Sequence, residues 1–157
     1  MHRSGTHQHR YSRRHHPGHL PDSYTARGHK LSFFNSICAN VDAMPWYYDP
    51  HSGGTKIPVH LQDKFRKQAE AFAKDRPWAE QFRLVVRFRN QFCYLEAQRM
   101  DEEKPTPLAR LRYFRGNAWS LALFLWSHEK YEPCLFHTGQ PEGTMEEAIE
   151  TSEPFLI

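Results

Sequence analysis

The chain has 157 residues, of which 39% are hydrophobic and 14% aromatic, and a formal net charge of +3. That length gives room for one domain with a tail, and the aromatic content suits a small packed core. The longest nearly apolar run, AWSLALFLW (Ala118–Trp126), falls far short of the roughly 20 residues that a membrane-spanning helix needs.

The positive charge is unevenly placed. Residues 1–43 carry six basic and two acidic residues, against fifteen and sixteen in the remainder. Net charge therefore gives no argument that the body of the protein binds nucleic acid. The stretch MHRSGTHQHRYSRRHHPGHLPDSYTARGHK holds seven of the eleven histidines and almost no aliphatic residues. It cannot bury enough apolar surface to offset its ordering entropy, so residues 1–43 are expected to be a disordered extension and 44–157 a single domain. A histidine tract of this kind can hold a metal or a phosphate weakly. The later part of the extension, LSFFNSICANVDAM, is apolar enough for a short helix or loose packing. No apolar h-region of a secretion signal is present there. Three cysteines (Cys38, Cys93 and Cys134) form no CxxC pair, which reads as reduced thiols in a cytoplasmic protein.

MPWYYDPHSGGTKIP has the Pro, Asp-Pro and Gly-Gly punctuation of an ordered loop. In VHLQDKFRKQAEAFAKDRP, Leu61, Phe65, Ala69 and Phe72 recur at steps of three and four, which predicts a helix with one apolar stripe on the core. Pro58 suits its first turn, and Pro77 ends it.

RLVVRFRNQFCYLEA (Arg83–Ala97) predicts a β-hairpin turning at Asn90-Gln91. Phe88 then faces Cys93, Val86 faces Leu95, and Leu84 faces Ala97, so all six apolar side chains share one side. Arg83, Val85, Arg87 and Arg89 share the other side with Gln98, Glu96, Tyr94 and Phe92. A second hairpin joins TPLARLRYF to AWSLALFLW through Arg115-Gly116-Asn117 read as a three-residue loop. That loop pairs Tyr113 with Trp119, Leu111 with Leu121 and Ala109 with Leu123 on the core side. Arg112 then meets Ser120 and Arg110 meets Ala122 on the opposite side. A fifth short strand is predicted at PCLFH (Pro133–His137), after the polar connection SHEKYE. Thr144-Met145-Glu146-Glu147 has the pattern of a capping box opening a short helix, which Pro154 stops. The fold class is α+β: one N-terminal helix, an antiparallel sheet of four or five strands built from hairpins, and a short C-terminal helix.

One sheet face in this scheme collects Arg83, Arg87, Arg89, Arg110 and Arg112 with Phe92 and Tyr94. Guanidinium groups and rings on an open sheet are one way to hold single-stranded nucleic acid, the rings stacking on bases at about 1–3 kcal/mol each. An acidic protein would meet the same charges. Against both stands ordinary cross-strand stabilisation, where arginine opposite a ring or a glutamate contributes roughly 0.2–1 kcal/mol per pair. Arginine on a sheet also opposes aggregation. A homo-oligomer with a helix docked over the sheet is compatible with the same pattern.

The segment SHEKYEPCLFHTG gathers His128, Glu129, Glu132, Cys134 and His137 within ten positions. A thiol with imidazole and carboxylate could form a nucleophile or a metal site. The spacing opposes this, because Cys134 and His137, three apart, point to opposite faces of a strand. No P-loop, GxGxxG, GxSxG or HExxH is present, so no cofactor is implied, and the enzyme reading is the weaker one.

The motifs YDPHSGGTKIP, RFRNQFCYLEA, LARLRYF, WSLALFLWSHEKYEPC and GTMEEA resemble those of a family of small uncharacterised bacterial proteins, over about two-thirds of the chain. Relatives carry glycine where Asn90 stands, which implies a turn with positive φ. They look as though they begin near MPWYYDP, which implies that residues 1–43 are a dispensable extension or an upstream-start artefact. The YYDPHSGG and SHEKYEPC segments would line a shared pocket. The resemblance implies no activity, ligand or partner, and no functional residue is carried over.

Overall fold

A computed structural model describes residues 51–156. The expectations for residues 1–43 and for the start of the MPWYYDP loop lie outside the described residues. The first hairpin has the register that side-chain alternation dictates: β1 (Phe82–Arg89) and β2 (Phe92–Arg99) pair Phe88 with Cys93, Val86 with Leu95 and Leu84 with Ala97. Asn90 takes φ 55° in the turn. This left-handed geometry is costly for most L-residues and less so for asparagine.

Three more strands, β3 (Thr106–Arg115), β4 (Ala118–Leu125) and β5 (Lys130–Cys134), complete a five-stranded antiparallel meander in the order β1-β2-β3-β4-β5. The pairs predicted for β3 and β4 all form. The loop that makes them is shorter than expected, however. Arg115 pairs with Ala118, which leaves Gly116-Asn117 as a two-residue turn. Phe114 is the extra residue of a β-bulge, since Tyr113 still pairs with Trp119. A bulge adds one residue to one strand, so the register inside it matches that of a three-residue loop. A second irregularity lies between β2 and β3, where Leu95 pairs with Ala109 but Glu96 with Pro107. That bulge accommodates a proline in a central strand, where it could not otherwise donate to the ladder.

The fifth strand begins earlier than PCLFH. Lys130, Tyr131 and Glu132 belong to it, paired with Leu125, Phe124 and Leu123, and pairing ends at Cys134. Its position at the sheet edge is the reason: among the described residues one flank meets no further strand, so polar residues and Pro133 are tolerated there.

The first helix, α1 (Val59–Lys74), buries Phe65, Ala69 and Ala73 and leaves Leu61 and Phe72 half-covered at the core margin. It stops because the residue before a proline avoids helical backbone: Arg76 is extended, at φ −91° and ψ 148°, and a short 3-10 segment follows at Pro77–Glu80. Phe65 packs against Tyr113 and Trp119, with ring centroids at 5.7 and 5.0 Å. Full burial of such a phenylalanine contributes roughly 1.5–3 kcal/mol.

The second helix, α2 (Met145–Ser152), opens with both halves of the predicted capping box. Glu147 N–H donates to Thr144 Oγ1 (3.2 Å), and Thr144 N–H donates to Glu147 Oε2 (2.7 Å). Helices and sheet are tied by a polar chain at one corner. Trp119 Nε1 donates to Asn117 Oδ1 (2.8 Å), while Asn117 Nδ2 (3.2 Å) and Gln68 Nε2 (2.5 Å) donate to the Glu146 carboxylate. A second tie runs from Arg76 to Glu153 (2.5 and 3.0 Å) and Glu150 (3.3 Å). Both helices therefore cover the same sheet face.

Burial by itself would raise the Glu146 carboxyl, but hydrogen bonds from Gln68, its own backbone, Asn117 and Thr144 hold it below the ordinary carboxylate value. A depressed carboxylate stabilises the fold above the unfolded-state pKa, and that stabilisation is lost as pH falls through the folded value. The wild-type chain is thus expected to lose stability on acidification from about pH 5 to pH 3, and Glu146→Gln to lose less over that window in urea titrations. In the same assay Asn90→Ala should cost about 1 kcal/mol, and Asn90→Gly should be neutral or slightly stabilising.

Candidate binding face

Strand register decides which side chains meet on the sheet face away from the helices. Arg83 lies opposite Gln98, Arg87 opposite Tyr94 and Arg89 opposite Phe92. Across the next boundary Tyr94 meets Arg110 and Phe92 meets Arg112. All seven residues singled out from the sequence for this face are on it. The structure divides them by what they touch.

Arg87 donates through Nε to Glu96 Oε2 (2.9 Å) and through Nη2 to Glu96 Oε1. Its guanidinium also lies 5.4 Å from the centre of the Tyr94 ring. Glu96 is only 7% exposed, and a buried carboxylate needs such a partner. The hydrogen bond with Glu96 holds the Arg87 guanidinium above its ordinary pKa, and burial opposes this. Arg110 sits between two rings, 4.7 Å from Phe92 and 5.3 Å from Tyr131. The Arg112 guanidinium lies 5.4 Å from the centre of the same Phe92 ring, and Arg112 is itself buried and donates to the Ser52 carbonyl. Three of the five arginines therefore carry the cross-strand contacts that stabilise a sheet. Arg83 and Arg89 are exposed, without an ion pair or hydrogen bond among the described residues.

Arg112 is held from above by the chain entering the domain. Thr55 N–H donates to Tyr113 O (2.8 Å), Thr55 Oγ1 donates to Phe114 O (2.9 Å), and Ile57 N–H donates to Asn90 O (2.9 Å). Gly54, at φ 85°, lies so close that a Cβ there would stand 2.7 Å from Arg112 Cγ and 3.1 Å from Tyr113 O. The glycine of the HSGG motif is thus required both by backbone angle and by close approach. This strap joins the C-terminal end of β3, whereas His128 and Glu129 lie in the β4–β5 turn at the opposite end of the sheet. The described part of the YYDPHSGG loop, His51–Gly54, therefore lies at the other end of the sheet from that turn.

The face also holds residues that the sequence reading did not include. Phe92 and Tyr94 begin a row of rings that continues through Tyr131 and Phe124 to Trp126, with successive centroids 6.3, 5.7, 5.1 and 5.1 Å apart. Trp126 is 52% exposed. Phe124 was within reach of alternation, since Ala122 two residues earlier already faces Arg110. Tyr131 was not, because its strand starts in a polar segment. Burial raises the pKa of the Tyr131 hydroxyl, and Glu96 and Tyr94 add to this, while Arg87 and Arg110 oppose it.

The SHEKYEPCLFH residues are not brought together. Cys134 pairs with Leu121 on the core face and is 1% exposed. His128 is exposed in the β4–β5 turn. His137 follows the last strand, and its backbone N–H donates to Thr151 Oγ1 (3.0 Å) while its Nδ1 lies 3.1 Å from the same atom. The Thr151 hydroxyl is fully buried and donates to Glu147 O (2.6 Å), so it offers no nucleophile. Among the described residues no group of three or more His, Cys, Asp and Glu side chains could hold a metal ion. Cys93 is also in the core, where burial pushes its thiol pKa up. No helix among the described residues is long and apolar enough to cross a membrane.

No family model, curated protein or solved structure matches this chain. Gly54→Ala is expected to lower stability by about 1–3 kcal/mol in urea denaturation, because the new Cβ meets a pinned arginine and a backbone carbonyl at a positive φ.

Proposed function

We propose that the protein is a non-catalytic binding module that holds single-stranded nucleic acid on the arginine and aromatic face of its sheet. The supporting observation is the row of five rings from Phe92 to Trp126 together with the two uncommitted cations, Arg83 and Arg89, on the same face. Bases stack on rings whatever their sequence, and cations beside such a platform meet phosphates. An acidic protein would be attracted by the same charges. Half-buried rings in a continuous row favour flat bases over a peptide, since a peptide edge gains little from a ring array.

The roles separate along the lines of the contacts. Arg87, Arg110 and Arg112 hold the rings in place, and Arg83 and Arg89 are the phosphate contacts. Phe92, Tyr94, Phe124, Tyr131 and Trp126 supply the stacking surface. No bond is made or broken in this reading, and none of His128, Cys134 and His137 has a part in it.

Fluorescence anisotropy with a labelled single-stranded RNA of about a dozen nucleotides tests the proposal. The wild-type chain should bind in a salt-sensitive manner. The double variant Arg83→Glu/Arg89→Glu should bind at least tenfold more weakly and lower the log–log salt slope by about 1.4, the value for two lost single-strand phosphate contacts. Its melting temperature should stay within a few degrees of wild type, because neither arginine carries a fold contact. Absence of binding by the wild-type chain to either RNA or single-stranded DNA at 50 mM salt would overturn the reading and leave an acidic protein as the ligand class.

A further inference from the structure

A cavity of about 370 Å³ lies beside β1, walled by the C-terminal end of α1, the 3-10 segment and the turn after β2. Its size is at the lower end of the roughly 300–1,000 Å³ found for small-molecule sites. The walls are held from two directions. Gln81 N–H donates to Trp78 O (2.9 Å), and Met100 N–H donates to Gln81 O (3.0 Å), which brings the turn after β2 against the 3-10 segment. Trp78, Phe82 and Met100 supply much of the apolar lining. Met100 is 66% exposed, and a flexible thioether chain on an apolar rim adapts to whatever fills the space.

Two features of the lining select a ligand. Lys74 and Arg83 are on the wall with Glu70, so the cations outnumber the carboxylate. None of the three has an ion pair among the described residues. Trp78 carries the second feature. Its Nε1 is the one buried side-chain nitrogen or oxygen among the described residues without a hydrogen-bond partner. A buried donor with no acceptor is costly, and such a group calls for a partner.

We propose that this cavity binds a small apolar molecule carrying one carboxylate. The hydrocarbon or aryl part occupies the space among Trp78, Phe82 and Met100. The carboxylate faces Lys74, and a modest turn of the Trp78 ring lets its N–H donate to a carboxylate oxygen. A phosphate fits less well, because the lining offers few donors and is mostly apolar. Arg83 borders both this cavity and the sheet face, so the test is made at Lys74, which lies on α1 away from the row of rings and has no part in the sheet-face reading.

Titrating 3-phenylpropionate into the ¹⁵N-labelled full chain tests this, with 3-phenylpropanol as the neutral counterpart. The Trp78 indole resonance is identified by its absence in Trp78→Phe, or by sequential assignment if that variant does not fold. The acid should shift this resonance saturably and bind at least tenfold more tightly than the alcohol. Lys74→Gln should weaken the acid about fivefold and leave the alcohol unchanged. An indole resonance unmoved by the acid, an alcohol that binds as tightly as the acid, or an acid affinity insensitive to Lys74→Gln would each overturn the proposal.

Discussion

Because side chains alternate across a strand, a slip of one residue in either hairpin would send every apolar residue to water and every arginine into the core. The register of β1 with β2 and of β3 with β4 is therefore the constraint on which the domain rests. Three local devices hold it. Asn90 accepts the left-handed turn geometry, Phe114 is set aside in a bulge, and a second bulge beside Pro107 keeps the central strand paired. With these in place Leu84, Val86, Cys93, Leu95, Leu111 and Leu121 share one face, and Phe65 of α1 closes on Tyr113 and Trp119.

The opposite face is a network of rings and guanidinium groups in which few members stand alone. Glu96 needs Arg87 because it is buried, Arg110 is flanked by Phe92 and Tyr131, and Arg112 is covered by the strap at Ser52–Gly54. Such mutual support ties rings and guanidinium groups on neighbouring strands to one another. Of the five arginines on this face, only Arg83 and Arg89, both on β1, stand without an ion pair, a side-chain hydrogen bond or a ring contact among the described residues.

Much of this was legible from residues alone. Helix α1 was readable from its stripe of Leu61, Phe65, Ala69 and Phe72, and α2 from the Thr144/Glu147 capping pair. The hairpin pairs followed from alternation and turn chemistry. The start of β5 at Lys130 was hidden because an edge strand needs no apolar alternation. The two-residue turn at Gly116-Asn117 was hidden as well, because a bulge mimics a longer loop. Within the candidate site, the seven residues on the face could be named and Phe124 and Trp126 lay within reach of alternation, but Tyr131 could not be named.

The sequence by itself determined the order of elements, the pairing of the two hairpins and the sidedness of their residues. Those properties follow from periodicity and local turn geometry, which involve residues close along the chain. Only the tertiary structure decided which arginines are committed, because Arg112 meets Ser52 from sixty positions away and Arg110 reaches Tyr131 across β4. It alone also placed Lys74, Trp78 and Met100 around one cavity. Long-range contacts of this kind depend on how a helix and a strap settle on a finished sheet, and no short-range pattern encodes that.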